Sequence, residues 1–188
     1  MKWIECQLQQ RWTIVSLALL VFTAFWTAGT ALLAQPIIED EAQEPRPGFY
    51  APDFELLTPQ GNPVRLSDLR GRPVILNLWA SWCPRCKAEM LMLENVHRQN
   101  EAEGLVVLAV NLTYQDSAQS AIQFLNENGL TFPVLMDVDG VVGRRYQVRA
   151  LPTTFFIDRS GRIHSLELGG PLPEAYLQAK AVLLLEDE

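Results

Sequence analysis

Cys83-Pro84-Arg85-Cys86 stands between the nearly continuous apolar run Val74 to Ala80 and a helix-like stretch that opens Lys87-Ala88-Glu89-Met90. An apolar run of this kind reads as a strand buried on both faces. The two cysteines therefore lie at a strand-to-helix junction, where they can close to a disulfide with little chain movement. A helix N-terminus carries partial positive charge from its unpaired N–H groups. That field favours a thiolate at Cys83, and the thiolate is the nucleophile of disulfide exchange.

A CxxC pair is also half of many zinc sites, which complete themselves with a second CxxC or with paired histidines. The other candidates here are Cys6, His97 and His164, scattered along the chain. The expectation is a dithiol with no metal, flavin or nucleotide.

A length of 188 residues allows one domain and an appendage, and a hydrophobic fraction of 48% suits a core plus one apolar segment. That segment is residues 12–34, which hold no charged side chain and are long enough to span a bilayer. Lys2 and Arg11 precede it, whereas Glu39, Asp40, Glu41 and Glu44 follow. This asymmetry predicts a cytoplasmic N-terminus at 1–11, a span at 12–34 contacting the lipid bilayer, and the rest of the chain outside the cytoplasm. Gly29-Thr30-Ala31 would also serve as a signal-peptide cleavage site, so anchor and cleaved signal both stand. Residues 35–48 are acidic and proline-bearing and read as a linker; residues 49–188 read as the domain. The net charge of −7 is spread along the chain and gives no basic patch for nucleic acid. The domain is expected to be a monomer.

The spacing predicts a hairpin from Asp53 to Leu66, a buried strand at 74–79, and a helix after the cysteines ending near Gly104. A second buried strand follows at 105–110, then a helix at 117–128 stopped by Asn128-Gly129. A strand at 132–136, a short helix or turn at 141–147, a hairpin of 153–157 with 163–168, and a helix at 173–185 complete the chain. Parallel strands first and antiparallel strands last make an α/β fold. Its central mixed sheet is flanked by helices on both faces, with the CxxC at the C-terminal end of a central strand.

Residues 51–185 resemble a thioredoxin fold, and more closely the membrane-tethered thiol–disulfide oxidoreductases of the ResA, TlpA and CcmG type. The resemblance rests on Ala51-Pro52-Asp53-Phe54, on Asn77 through Met90, on Val107 through Asn111, on Leu151 through Asp158, and on Gly161-Arg162-Ile163. It implies a thioredoxin fold with an N-terminal β-hairpin extension and one N-terminal transmembrane helix. It implies Cys83 as the exposed nucleophile and Cys86 as the resolving thiol. It also implies a cis Leu151–Pro152 bond that frees the Leu151 backbone for a substrate chain, and a Glu89 carboxylate coupled to the dithiol. Asn77 takes the strand position where thioredoxin has a buried aspartate. Pro84 suits an early helical position. Arg85 departs from the usual WCxPC form; its guanidinium either steadies the thiolate or points to solvent. Trp82 is expected to flank the site as a contact surface. The implied partners are a disulfide-containing protein substrate, with apocytochrome c of cytochrome c biogenesis as one candidate, and a membrane electron donor.

Two other functions remain in view. A peroxiredoxin-like peroxidase would need a proline and a threonine or serine ahead of its cysteine, and the run Asn77 to Trp82 lacks that proline. A metal-delivery or assembly chaperone of this fold uses CxxxC with a distant histidine, whereas the spacing here is CxxC.

Overall fold

The computed structural model describes residues 43–186. The expected cytoplasmic start, the span at 12–34 and the first part of the linker lie outside the described residues. Among the described residues no helix is long and apolar enough to cross a membrane.

The strands are β1 (Glu55–Leu57), β2 (Pro63–Arg65), β3 (Val74–Trp79), β4 (Val106–Asn111), β5 (Val134–Met136), β6 (Thr153–Ile157) and β7 (Ile163–Leu168). The helices are α1 (Pro84–Asn100), α2 (Ala118–Asn128), α3 (Val141–Arg145) and α4 (Glu174–Glu186). All seven strands form one sheet in the order β2-β1-β5-β4-β3-β6-β7. β3, β4 and β5 run parallel, whereas β6 is antiparallel to β3 and β7 to β6. Every residue of β3 and β4 is buried, as expected of central strands covered on both faces.

Parallel neighbours need a crossover. α1 supplies it between β3 and β4, and α2 between β4 and β5. The core on their side joins Ile75 and Trp79 of β3 to Met90, Leu93 and Val96 of α1, Ala121 and Phe124 of α2, and Leu177, Ala181 and Leu184 of α4. The opposite core joins Leu76, Leu78, Leu108 and Phe155 to Phe54, Leu66, Val142 and Tyr146. The expected covering of both faces is therefore unequal. Three long helices share one face. On the other, only the five-residue α3 is α-helical, and the chain before β3 fills the remaining surface. Tyr146 closes that side, stacking edge-on to Phe54 and Phe155 and donating its hydroxyl to the Pro52 carbonyl at 2.8 Å.

The β1–β2 hairpin is not a free extension. Leu57 pairs with Met136, which sets the hairpin at the sheet's edge. Residues 43–48 of the expected linker lie on the domain: Gly48 N–H donates to the Ile163 carbonyl, Glu44 N–H to the Tyr50 carbonyl, and the Gln43 side chain accepts from Asp53 N–H. α2 ends as its sequence predicts, with Gly129 in the left-handed region at φ 61°.

Candidate active site

β3 ends at Trp79, and the chain turns through Ala80, Ser81 and Trp82 before α1 begins. Asp116 holds this turn. One carboxylate oxygen accepts from Ser81 N–H at 2.6 Å and from Asn111 Nδ2 at 2.7 Å. The other accepts from the Ser81 hydroxyl at 2.6 Å and Ser117 N–H at 2.8 Å. Burial acts to raise the Asp116 pKa, but these donors outweigh it and hold the carboxyl below the ordinary aspartate value.

Cys83 is the N-cap of α1. Its backbone is extended, and its Sγ accepts the Cys86 N–H at 3.1 Å. The sulfur thus occupies the place that serine or aspartate oxygens take at other helix starts. Pro84 follows where an N–H would lack a helical partner. The Cys83 and Cys86 sulfurs are 2.18 Å apart and form a disulfide. Cys83 retains 5% exposure and Cys86 none, so a substrate approaching from solvent meets Cys83 first.

Trp82, Pro84 and Arg85 make an exposed rim beside Cys83. Trp82 is 58% exposed, and its indole N–H donates to the Gln115 carbonyl at 3.1 Å. That bond fixes an aromatic face toward solvent. Trp79, in contrast, is fully buried and belongs to the core. The Leu151–Pro152 bond is cis and leads directly into β6, antiparallel to β3. Leu151 is half-buried, packed against both cores.

Glu89 lies one α1 turn beyond Cys86 and is fully buried. Its Oε1 accepts from Asn77 Nδ2 at 3.0 Å and from the Thr154 hydroxyl at 2.6 Å. Its Oε2 accepts from Leu172 N–H at 2.8 Å. Burial raises the Glu89 pKa above the ordinary glutamate value, and these three neutral donors oppose the rise without cancelling it. The segment from Leu168 to α4 passes close over the carboxylate. It includes a second cis bond, Gly170–Pro171. A Cβ on Gly170 would overlap Glu89 Oε2 and stand 2.7 Å from Pro152 Cγ. Only glycine permits this approach.

The structure thus brings Cys83, Cys86, Trp82, Pro84 and Arg85 together at the start of α1. Glu89 is buried one turn inward, and Leu151 and Pro152 lie at the entrance to the neighbouring strand. Arg85 is exposed and has no carboxylate partner among the described residues. Sequence reasoning missed Asp116, Thr154 and Gly170. An Asp-Ser pair before a helix is a visible capping signal, but its tie to Ser81 is not. Among the described residues no three His, Cys, Asp or Glu side chains converge to hold a metal.

Residues 47–166 match the AhpC/TSA family. The thiol-disulfide oxidoreductase ResA of Geobacillus kaustophilus is 35% identical over 149 residues, covering 79% of this chain and 77% of that protein. The ResA of Bacillus subtilis is 36% identical over 122 residues, covering 65% of this chain and 67% of that one. Among solved structures, a thiol:disulfide interchange protein DsbE from Chlorobium tepidum superposes with a TM-score of 0.68 at 33% identity, covering 77% of this chain and 99% of its own. A secreted Mycobacterium tuberculosis disulfide oxidoreductase homologous to E. coli DsbE gives 0.64 at 26% identity, with coverages of 70% and 96%.

Proposed function

The chain belongs to the AhpC/TSA family and is a thiol–disulfide oxidoreductase of the ResA type; from that premise we propose that it reduces protein disulfides outside the cytoplasm, tethered by residues 12–34. The observation that carries the reading is the placement of Cys83: the more exposed cysteine, at a helix N-cap, with its sulfur already accepting a backbone N–H.

In the reduced protein that N–H and the helix terminus stabilise a Cys83 thiolate. The thiolate attacks one sulfur of a substrate disulfide. A Cys83–substrate bond forms, the substrate disulfide breaks, and the other substrate sulfur leaves as a thiolate. Cys86 then loses its proton and attacks the Cys83 sulfur. The mixed disulfide breaks and the second substrate thiol departs. Two electrons have passed to the substrate, leaving the Cys83–Cys86 disulfide seen here. A membrane electron donor must return that disulfide to the dithiol.

The substrate chain lies along Trp82, Pro84 and Pro152, and pairs with the backbone of Leu151, whose N–H and C=O have no partner among the described residues. Arg85 meets the substrate from the exposed rim. Glu89 couples to the dithiol: ionised, it disfavours a second negative charge at Cys86; protonated, it can exchange its proton with the resolving thiol. The uncharged run at 12–34, with Lys2 and Arg11 before it, supports the extracytoplasmic placement. Apocytochrome c cysteines are the substrate class that the ResA likeness suggests.

Trapping tests the assignment. Cys86→Ser should accumulate mixed disulfides visible on non-reducing gels and cleared by reductant, whereas Cys83→Ser should show none. Equal trapping by both variants would reverse the two roles.

A further inference from the structure

Asn77, Glu89 and Thr154 come from β3, α1 and β6 and meet in one closed triangle. Asn77 Nδ2 lies 3.0 Å from Glu89 Oε1 and 2.8 Å from Thr154 Oγ1, and Thr154 Oγ1 lies 2.6 Å from Glu89 Oε1. The two hydrogens of the Asn77 amide can go one to each oxygen. The single Thr154 hydrogen is then left for the carboxylate. Asn77 Oδ1 is buried with no partner, so the amide presents its donors to this cluster while its carbonyl goes unpaired. Leu172 N–H is the third donor to Glu89, on the other carboxylate oxygen. β3, β6 and the segment before α4 thus turn only neutral donors toward Glu89. No charged side chain contributes to its shift; on its own helix Cys86 and the exposed Arg85 stand one turn back, with Cys83 at the N-cap beyond them.

These groups differ in one respect. A backbone N–H and an amide NH2 can only donate. A proton arriving on Glu89 would therefore confront donors at both oxygens. The Thr154 hydroxyl can reverse its role by rotation about a single bond, donating to the carboxylate and accepting from the acid.

We propose that Thr154 is a positioning residue of the redox site, its hydroxyl acting as the reversible hydrogen-bond partner that lets buried Glu89 both hold and release a proton in place. Its bearing on disulfide exchange rests on the coupling of Glu89 to the dithiol argued above. The proton exchanged is the one Cys86 must lose to attack the mixed disulfide; no other reactant is needed. Thr154 is 1% exposed, and its γ-methyl leaves valine an equal fit without the rotor.

The test follows the Glu89 side-chain carboxyl carbon by NMR against pH in the full-length oxidised chain, where neither Cys83 nor Cys86 carries a titrating thiol. Thr154→Val should move the midpoint upward by about one pH unit, because the ionised form loses a charge-assisted donor. Thr154→Ser restores the hydroxyl and should return the midpoint to the parent value. A midpoint unmoved by valine, or moved as far by serine, overturns the proposal. The second arm reads alkylation of Cys83 against pH in the reduced chain. Thr154→Val should shift that profile in the parent but not in a Glu89→Gln background, and an equal shift in both backgrounds also overturns it. If instead Glu89→Gln alone leaves the alkylation profile unchanged while the NMR midpoint responds to valine, the coupling of Glu89 to the dithiol fails and the Thr154–Glu89 linkage stands.

Discussion

Glu89 and Asp116 are both carboxylates caught between burial and hydrogen bonding, and the balance falls on opposite sides. Asp116 has four donors and some access to water, and its pKa falls; Glu89 has three donors and none, and its pKa rises. Their effects on stability therefore oppose each other. A raised folded-state pKa means that the native protein binds more protons than the unfolded chain above the ordinary glutamate range. Stability linked to Glu89 is thus lost as pH rises from about 4.5 through its raised folded value. Glu89→Gln should flatten this decline in urea denaturation measured across pH. It should also move the cysteine alkylation profile toward lower pH by about one unit, since a negative neighbour is removed. An unchanged profile would reduce Glu89 to a structural group. The cysteine pair was legible because its spacing is local, three residues apart at one helix start, whereas Glu89 was singled out only through the family resemblance. Thr154 and Leu172 were not. They lie 65 and 83 residues from Glu89, and no periodicity links a β6 hydroxyl or a backbone N–H after β7 to a helix residue.

At the scale of elements, β3, β6 and β7 matched their sequence boundaries because continuous burial and a Ser160-Gly161 turn are local signals. The edge pairing of β1 with β5 left no such mark, since it is a single residue pair, Leu57 with Met136. Two connections carry the site and invite mutation. The first is the turn between β3 and α1, tied by Asp116 to the start of α2. Asp116→Asn converts one acceptor oxygen into a donor facing donors, and should cost about 1–3 kcal/mol in chemical denaturation. The parent loses its Asp116 contribution as pH falls below the ordinary aspartate range near 3.8; the asparagine variant should lack that acid-dependent step. The second is the segment over Glu89. Gly170→Ala must push the chain away from Glu89 Oε2 and Pro152, lengthening the Leu172 N–H bond. A destabilisation of about 1–3 kcal/mol is expected, read by denaturation. A variant as stable as the parent would show that this loop yields freely.

For the whole molecule, the α/β class, the mixed sheet and the place of the dithiol followed from element order. The uneven loading of its faces did not, because helix length says nothing about which side a crossover takes. The proposed extracytoplasmic placement is tested at the segment before the domain. Membranes carrying the full-length chain should retain it after alkaline extraction, and Cys83 should react with a membrane-impermeant thiol reagent from the outer side only. A mature chain starting near residue 32 would replace the tether by secretion, and a fully cytosolic chain would sink both readings. The register of β3 between β4 and β6 has one more consequence. Asn77 pairs with Thr154 across that boundary, so the Glu89 cage closes only when the last third of the domain arrives. A chain emerging residue by residue presents Cys83 and Cys86 some seventy residues before Thr154 exists. During that interval the dithiol is an ordinary pair of thiols, open to whatever oxidant it meets. On the proposed coupling of Glu89 to the dithiol, the pair takes on its tuned chemistry only with the completed sheet.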